Sequence, residues 1–319
     1  MTLAAGGTVG YDYLIYAVGS ASTAPRVPGA AGFAYPIADL EEAQRLRAAV
    51  DAAPPTAAVT VVGGGSTGIE TAAELAEEGR TVTLVCGGVL GASLHPRGRR
   101  SVARRLTALG VSVLEGAGAR VTAVTRDAVR LGDGRELPSA VTVWATGFGV
   151  PDLADRSGFS TDGVGRLLTD ETLTSVDDVR VVAAGDAAAP SGLPFRMSCQ
   201  AAVQLGPQAA ETVLSRIAGE DPAPVDVGFF SQCISLGRRA GVLQLAGRDD
   251  TARRHHLGGR TGAGLKEFIC KGVVWQLSYE ARRPGTRTWW VKDAKRRQLL
   301  EERRDAAPAD PERATRGPR

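Results

Sequence analysis

The sequence predicts an α/β protein in which strands and helices alternate, followed by a small α+β domain near the C-terminus. Residues 58–86 read as a strand, a glycine-rich turn, a helix and a second strand. About 120 residues later, another apolar strand ends in the pair Gly185 and Asp186. A length of 319 residues allows about two domains, and 40 glycines suit a protein with many tight turns.

The stretch from residue 58 to residue 86 carries the main motif. Residues 59–62 form a short β-branched run that is typical of a buried parallel strand. Gly63, Gly65 and Gly68 follow at G-x-G-x-x-G spacing, which permits a tight turn, close approach of a pyrophosphate and close packing of the helix. Unpaired N–H groups at the helix start favour the phosphate. This order predicts a Rossmann-like dinucleotide site, the alternative being a glycine-rich turn that binds nothing.

One part of this fingerprint is missing. At the end of the second strand, where a carboxylate would bind the adenosine ribose 2′-OH, the sequence has Cys86. Arg97, Arg99 and Arg100 follow and would suit a 2′-phosphate, but a solvated helix start is the simpler interpretation. The choice between NADH and NADPH therefore stays open.

The elements around this motif complete one domain. A helix over residues 38–52 is predicted from Asp39 as its cap, from apolar residues at helical spacing and from the stop at Pro54. After Cys86 we expect a helix at residues 97–109 and short strands at residues 111–114, 120–124, 128–131 and 141–144. A turn at residues 132–134 makes the middle of these a hairpin inserted before the last strand.

Three further segments carry a family resemblance. They are Y-D-Y-L-I-Y-A-V-G-S at residues 11–20, A-T-G-F at residues 145–148 and V-R-V-V-A-A-G-D at residues 179–186. In this order they resemble the pyridine nucleotide-disulfide oxidoreductase superfamily, flavoproteins with two dinucleotide-binding domains. The resemblance implies that Gly19, Gly185 and Asp186 contact FAD, and that Gly147 lies at the NAD(P) site.

The resemblance also divides the chain into parts. These are residues 1–36 as a remnant of the FAD-binding domain, 37–150 as the NAD(P)-binding domain, 151–222 as the return to the FAD-binding domain, 223–291 as a C-terminal interface domain and 292–319 as a charged tail, in which a short helix runs into disorder. The expected fold is thus two Rossmann-like domains, the first of them incomplete. The family's first G-x-G-x-x-G, which holds the ADP half of FAD, would precede the strand at residues 11–18 and is not in this sequence.

A helix at residues 197–218 sharpens the resemblance. Its start resembles the A-Q-x-A-x-Q segment of type II NADH dehydrogenases, with Gln200 and Gln204 in place and Cys199 where the first alanine would stand. In that group the segment runs along the flavin and borders the quinone site. The alternative is that both glutamines simply lie on an amphipathic helix.

Glu70 is the candidate catalytic residue. It follows Gly68 by two positions in the dinucleotide motif. The resemblance implies that this glutamate faces the contact between nicotinamide and flavin, where it would orient the carboxamide or pass a proton. The alternative is a glutamate favoured in the first helical turn by the helix dipole.

The C-terminal part has strands at residues 232–236 and 242–246 and a helix at residues 263–279. We expect its large aromatic side chains to form a core or a partner surface rather than a membrane anchor: Phe268, Trp275, Trp289 and Trp290. His255 and His256 lie among arginines without a nearby carboxylate in sequence, and are interpreted as surface residues of a polar loop.

Composition excludes several function classes. A net charge of +3 with dispersed basic residues does not indicate nucleic-acid binding. No apolar run approaches the ~20 residues of a transmembrane helix, and no signal peptide follows Met1. The four cysteines are far apart, form no metal-ligand spacing and indicate a reducing, cytoplasmic location. Peripheral contact with the inner face of the membrane and a homodimer remain compatible with this sequence.

These observations predict an FAD-dependent oxidoreductase that transfers hydride from NAD(P)H to flavin and then to a small-molecule acceptor, with a quinone as one candidate. The alternative is a truncated, non-catalytic NAD(P)-binding fragment or sensor. A flavin colour that NADH bleaches would distinguish the two.

Overall fold

The computed structural model describes residues 1–283, 286, 291–293 and 295–306. The strands are β1 (Leu14–Tyr16), β2 (Ala21–Ser22), β3 (Ala34–Pro36), β4 (Ala58–Val62), β5 (Thr81–Val85), β6 (Ser112–Leu114), β7 (Val121–Val124), β8 (Ala128–Leu131), β9 (Glu136–Pro138), β10 (Val141–Trp144), β11 (Phe148–Gly149), β12 (Leu167–Thr169), β13 (Val181–Ala183), β14 (Ala188–Pro190), β15 (Ser231–Ser235), β16 (Gly241–Ala246) and β17 (Ala252–Gly258). The helices are α1 (Ala30–Phe33), α2 (Leu40–Ala52), α3 (Ser66–Glu77), α4 (Pro96–Ala108), α5 (Leu153–Arg156), α6 (Cys199–Ala218), α7 (Gly259–Arg282) and α8 (Lys295–Ala306).

A five-stranded parallel sheet forms the main layer, in the order β3-β10-β4-β5-β6. Its central strand β4 is buried on both faces, which explains the uniformly apolar run in the sequence. Val59 and Val61 lie in the cluster that contains helices α2, α3 and α4, whereas Val62 lies in another cluster with β7 and β8. Ile69 of α3 packs with Val61 of β4 and Leu84 of β5 in the largest apolar cluster. The strand order reverses at β4, where such sheets bind ligands at the carboxyl ends of their strands. The prediction of an α/β fold with a Rossmann-like core is confirmed.

A three-stranded antiparallel sheet, β7-β8-β9, packs against the main sheet, with Val129 in the same apolar cluster as Val62 and Trp144. The predicted turn at residues 132–134 joins β8 to β9, and Gly134 has the positive φ of 85° that the turn requires. Strand β9 was not predicted, because Glu136–Pro138 is short, partly polar and ends in proline.

Residues near the N-terminus pair with the chain that follows the main sheet. Strand β1 forms a two-stranded parallel sheet with β13, and β2 pairs antiparallel with β11. The strand predicted over residues 11–18 is only three residues long, because regular pairing extends only from Leu14 to Tyr16. β12 and β14 form another parallel pair, and α6 packs against this group in a second apolar cluster.

The C-terminal part combines the antiparallel sheet β15-β16-β17 with α7 and α8. The loop predicted around His255 and His256 is wrong, because these residues belong to β17, whose register with β16 pairs Gln244 with His256. An arginine- and histidine-rich strand carries no apolar alternation that would reveal it. His255 is exposed and His256 is half-buried.

The aromatic residues of α7 are not core residues. Phe268 is 72% exposed and Trp275 is 62% exposed, so the core alternative is wrong for both. Trp289, Trp290 and residues 307–319 of the tail lie outside the described residues. Within the described ranges, no helix is long and apolar enough to span a membrane.

Candidate functional site

The glycine loop between β4 and α3 is shaped by two close backbone approaches. A Cβ on Gly68 would lie 1.9 Å from the carbonyl oxygen of Gly63, so the helix can sit this close only with glycine. A Cβ on Gly63 would lie 2.6 Å from the carbonyl oxygen of Ala145, and its φ of 130° also requires glycine. These two glycines hold the turn against the sheet.

Gly65 differs from its two neighbours in the motif. Nothing lies within 4 Å of the position its Cβ would take, and its backbone is extended, so the protein itself does not require glycine there. Gly65 caps α3 without a side-chain hydrogen bond, which leaves the N–H groups of the first helical turn available to an anion. The open space therefore lies where a pyrophosphate would approach.

Gly147 connects the end of the main sheet with the N-terminal segment. Its φ is 77°, and the N–H of Thr23 donates to its carbonyl oxygen at 2.9 Å. A Cβ on Gly147 would lie 2.7 Å from the Thr23 hydroxyl. The predicted NAD(P) residue thus lies where the chain crosses between the two halves.

Asp186 joins three segments. Its Oδ2 accepts a hydrogen bond from the hydroxyl of Ser20 at 2.9 Å, next to the Gly19 turn. Its Oδ1 accepts from the backbone N–H of Ser198, at the start of α6, at 3.0 Å. Gly19 and Gly185 have positive φ values of 70° and 62°. The structure therefore brings together the three residues that the sequence assigned to FAD.

Gln200 and Gln204 lie on the first turns of α6 and face the segment that leads into β15. Gln204 donates to the carbonyl oxygens of Gln200 (2.8 Å) and Gly228 (3.1 Å). The amide of Gln200, oriented to pair with both groups, donates to Ser231 O at 2.9 Å and accepts from Phe230 N–H at 3.1 Å. Both glutamines therefore fix the backbone that forms one wall of a pocket.

This pocket, of about 230 Å³, lies between the start of α6, strand β15 and α7. We call it the α6–α7 pocket. Its wall includes the two glutamines and three of the chain's four cysteines, Cys199, Cys233 and Cys270. Burial raises the pKa of Cys199 and of Cys233, so these thiols stay protonated at neutral pH. The cysteines are widely separated along the chain, so their convergence could not be predicted from the sequence.

Glu70 points from α3 towards the C-terminal part. Its Oε1 accepts hydrogen bonds from the ammonium group of Lys266 at 2.6 Å and from the N–H of Ser235 at 2.8 Å. Lys266 also donates to the hydroxyl of Ser235 at 2.8 Å. The same lysine lines the α6–α7 pocket, so it connects the helix of the dinucleotide loop to that pocket. Lys266 was missed in the sequence, although it is one of only four lysines.

Two of the arginines after Cys86, Arg97 and Arg99, interact with other parts of the chain. Burial lowers the pKa of His256, and the positive charges of Arg104 and Arg97 lower it further. Arg97 therefore lies on the side of β17. Arg99 donates to the carbonyl oxygen of Leu94 at 3.4 Å. For Arg97 and Arg99, these contacts favour the structural interpretation over a 2′-phosphate site.

This chain is similar to known proteins in sequence and in fold. An NADH dehydrogenase-like protein of Mycobacterium tuberculosis is 29% identical over 265 residues, which cover 76% of this chain and 65% of the relative. The type II NADH:quinone oxidoreductase Ndh of the same organism is 32% identical over 190 residues, covering 51% of this chain and 40% of the relative. This chain thus spans less than two thirds of the length of these relatives.

A solved structure shows the same fold. NDH2 from Plasmodium falciparum, in complex with NADH, superposes with a TM-score of 0.66 at 15% identity and covers 82% of this chain and 74% of that one. The family model for pyridine nucleotide-disulphide oxidoreductases matches residues 2–211. The family predicted from the motifs is confirmed: this chain belongs to the pyridine nucleotide-disulphide oxidoreductases.

Proposed function

We propose that this chain acts in an FAD-dependent oxidoreductase that passes hydride from NAD(P)H to the flavin and electrons onward to a small-molecule acceptor. One observation carries the proposal. Lys266 forms a hydrogen bond with Glu70 on the helix that follows the glycine loop, and it also lines the α6–α7 pocket. Asp186 in turn accepts a hydrogen bond from Ser198 at the start of α6, which lines the same pocket. The three predicted sites are therefore joined by direct contacts.

The residues fit a nicotinamide dinucleotide. The open space at Gly65 and the free N–H groups at the start of α3 suit a pyrophosphate. Glu70 lies on the next helical turn, with its carboxylate oriented by Lys266 and Ser235. A carboxylate held by an ammonium group is suited to orient a carboxamide or to relay a proton through Lys266. We assign this positioning role to the pair.

The residues near Asp186 fit the part of FAD next to the flavin ring. Gly19 has open space around its Cβ position, and Asp186 is held by Ser20 and Ser198 while keeping acceptor capacity on both oxygens. Bound FAD would supply the hydride-accepting ring, and these residues would hold its ribityl and pyrophosphate portion. Among the described residues, the loop at Gly63 is the one strand–turn–helix unit with G-x-G-x-x-G spacing.

We infer that the acceptor enters the α6–α7 pocket and that a quinone suits it. The pocket is mostly apolar but has the amides of Gln200 and Gln204 and the ammonium group of Lys266 at its wall. Apolar walls with a few convergent polar groups are typical of sites for a ring with two carbonyl oxygens. The name of the 32%-identical relative, a NADH:quinone oxidoreductase, supports this choice.

Exposed apolar side chains of α7 support peripheral membrane contact, which would bring a lipid-soluble acceptor to the pocket. Phe268, Val274, Trp275 and Leu277 are all more than half exposed. Apolar side chains on one helix next to a quinone pocket favour an interfacial position. Vesicle flotation with a Phe268→Ser, Trp275→Ser double variant tests this, and a homodimer covering the same face would appear instead as a change in molar mass.

The central test uses the purified protein with and without added FAD. We expect flavin absorbance that NADH or NADPH bleaches anaerobically, with recovery of the colour on adding a quinone. The variant Gly65→Ala should fold normally and lose the bleaching, because its Cβ fills the pyrophosphate space. A colourless protein that still binds NADH would instead support the non-catalytic fragment or sensor.

A further inference from the structure

The carboxyl edge of the main sheet places Glu115 beside Cys86. Strands β5 and β6 are parallel neighbours, with Val85 opposite Leu114. The pairing continues for one more residue, because the N–H of Cys86 donates to the carbonyl oxygen of Leu114 at 2.8 Å. Neighbouring strands are about 4.8 Å apart. Glu115 is therefore one strand away from the position where the ribose-binding carboxylate was expected.

Cys86 itself supplies no charge. Burial, and then the nearby charge of Glu115, raises the pKa of the Cys86 thiol to about 12. Its sulfur packs against the glycine loop, since a Cβ on Gly64 would lie 2.8 Å from it. A neutral thiol at the end of β5 leaves room next to the loop without binding a ribose hydroxyl strongly or repelling a phosphate.

Glu115 carries the negative charge at this edge. It is exposed, and its Oε1 accepts from the N–H of Leu90 at 2.6 Å. The N–H of Gly116 donates to the carbonyl oxygen of Gly88 at 2.7 Å. These two hydrogen bonds hold the loop after β5 against the end of β6. The second carboxylate oxygen makes no hydrogen bond within the described residues, so it is free to accept one from a ligand.

The cations near this edge do not cancel that charge by pairing with it. Arg97 lies towards β17, and Arg99 donates a hydrogen bond to the carbonyl oxygen of Leu94. Arg120 is the competing cation, because its Cα and Cβ lie 3.5 and 3.9 Å from the Cβ position of Gly87. Within the described residues, no ion pair joins Arg120 to Glu115.

We propose that Glu115 replaces the missing carboxylate: it accepts hydrogen bonds from the adenosine ribose hydroxyls and selects NADH over NADPH. The assignment rests on the proposed dinucleotide site. A 2′-phosphate would bring a second negative charge next to an exposed carboxylate, while a free 2′-OH donates to it. The specificity residue thus stands on the third strand of the sheet rather than on the second.

Direct binding tests this without turnover. The dissociation constants of NADH and NADPH are measured by isothermal titration for the wild-type protein, Glu115→Gln and the matched control Glu136→Gln, which removes an exposed carboxylate on β9. Glutamine keeps the acceptor for Leu90, so the loop is retained. We expect the wild-type protein to bind NADH at least tenfold more tightly, and Glu115→Gln to reduce that ratio by about tenfold, which is 1.4 kcal/mol. The control should keep the wild-type ratio.

Three outcomes would overturn the assignment. If the protein binds NADH but Glu115→Gln leaves the ratio of the NADPH and NADH dissociation constants unchanged, the role of Glu115 is overturned and the proposed function is not. A wild-type preference for NADPH that Arg120→Ala removes would show that Arg120, and not Glu115, determines which nucleotide binds. Binding of neither nucleotide by the wild-type protein would overturn the proposed function together with this inference.

Discussion

The two halves of the molecule are held together in different ways. The half that carries the glycine loop at Gly63, which we call the dinucleotide half after the site proposed there, has a sheet of five parallel strands. Backbone hydrogen bonds cross this sheet from one edge to the other, and its apolar core is continuous. The half that carries Asp186, which we call the flavin half after the site proposed there, consists of strand pairs of two or three residues: β1 with β13, β2 with β11 and β12 with β14. A regular sheet fixes its own geometry through the backbone. Short pairs need side chains to fix theirs.

Polar side chains join the pieces of the flavin half. Asp186 connects Ser20 to Ser198, and the hydroxyl of Thr212 on α6 donates to Thr172 O at 2.7 Å. Arg296 of α8, which is largely buried, forms a two-point ion pair with Glu171, both distances being 2.9 Å. It also donates to the carbonyl oxygens of Pro190 and Leu193 at 3.0 and 2.9 Å. The C-terminal helix therefore fixes the loop that leads from Asp186 to α6.

The largest effect should come from breaking the backbone contact in the dinucleotide half. Gly68→Ala places a Cβ 1.9 Å from the carbonyl oxygen of Gly63, and backbone cannot move aside as a flexible side chain would. We expect a loss of about 3 kcal/mol or more in the free energy of unfolding, measured by urea denaturation. Nucleotide binding should be lost as well.

The control for this prediction is Gly65→Ala in the same loop. Its Cβ meets nothing within 4 Å, so the free energy of unfolding should stay within about 0.5 kcal/mol of wild type. NADH binding should nevertheless weaken strongly. Equal stability losses in the two variants would show that the loop is not packed as described.

The corresponding break in the flavin half is Arg296→Met. Methionine keeps the aliphatic length but leaves Glu171 without its partner and two carbonyl groups without a donor. Because the pair is partly solvated at Glu171, we expect a loss of about 2 kcal/mol, below that of a fully buried pair. Circular dichroism during urea denaturation measures it. Arg297→Met, at the exposed neighbouring position, should change stability little, and equal losses would contradict the role of Arg296.

The sequence predicted the half whose signals are local. Gly63, Gly65 and Gly68 lie within six residues, and the alternation of strand and helix around them follows from hydrophobic pattern alone. The Gly19 and Asp186 turns were predicted through a resemblance. Nothing local indicated that they meet through the hydroxyl of Ser20.

The contacts that were missed join residues far apart in the chain. Lys266 and Glu70 are 196 residues apart, and Arg296 and Glu171 are 125 apart. No sequence pattern around Lys266 or Arg296 indicates which carboxylate each will pair with, because each lies on a helix with other charged residues. A pairing of this kind depends on how two parts pack, which a single sequence does not specify.

A smaller effect is expected where the dinucleotide half meets β16 and β17. A Cβ on Gly98 of α4 would lie 2.4 Å from Oε1 of Gln244, which is fully buried. Gln244 cannot swing away, because its amide nitrogen donates to the carbonyl oxygens of Leu245, Arg253 and His255. Overpacking should outweigh the helix propensity of alanine, and Gly98→Ala should cost about 1–2 kcal/mol.

Differential scanning fluorimetry of Gly98→Ala checks this prediction, with Thr107→Ala as the control on the same helix. Thr107 is exposed and bonds only to the helix backbone, so its variant should keep the wild-type melting temperature within a few degrees. A stabilised Gly98→Ala protein would mean that α4 and β16 are separated further than the contact distance indicates.

The smallest expected effect is a change in the alkylation rate of Cys86, which lies at the end of β5 in the main sheet. Because folding raises the pKa of Cys86 to about 12, its thiolate is scarce at pH 8 and iodoacetamide should label it far more slowly than a free thiol. Its rate should still rise with pH above 9, where a free thiol has levelled off. The same shift means that stability from Cys86 is present below pH 9 and is lost as pH rises towards 12.

Mass spectrometry of the labelled protein resolves the four cysteines, and Cys86→Ser identifies the slow site. In urea, where folding no longer buries the thiol, Cys86 should show the ordinary profile of a free cysteine. NADH should slow its labelling further if the ribose covers this edge. Fast labelling of Cys86 at pH 8 in the folded protein would mean that the thiol is open to solvent. The ribose would then have a nucleophile beside it, and the neutral surface on which the role of Glu115 depends would be lost.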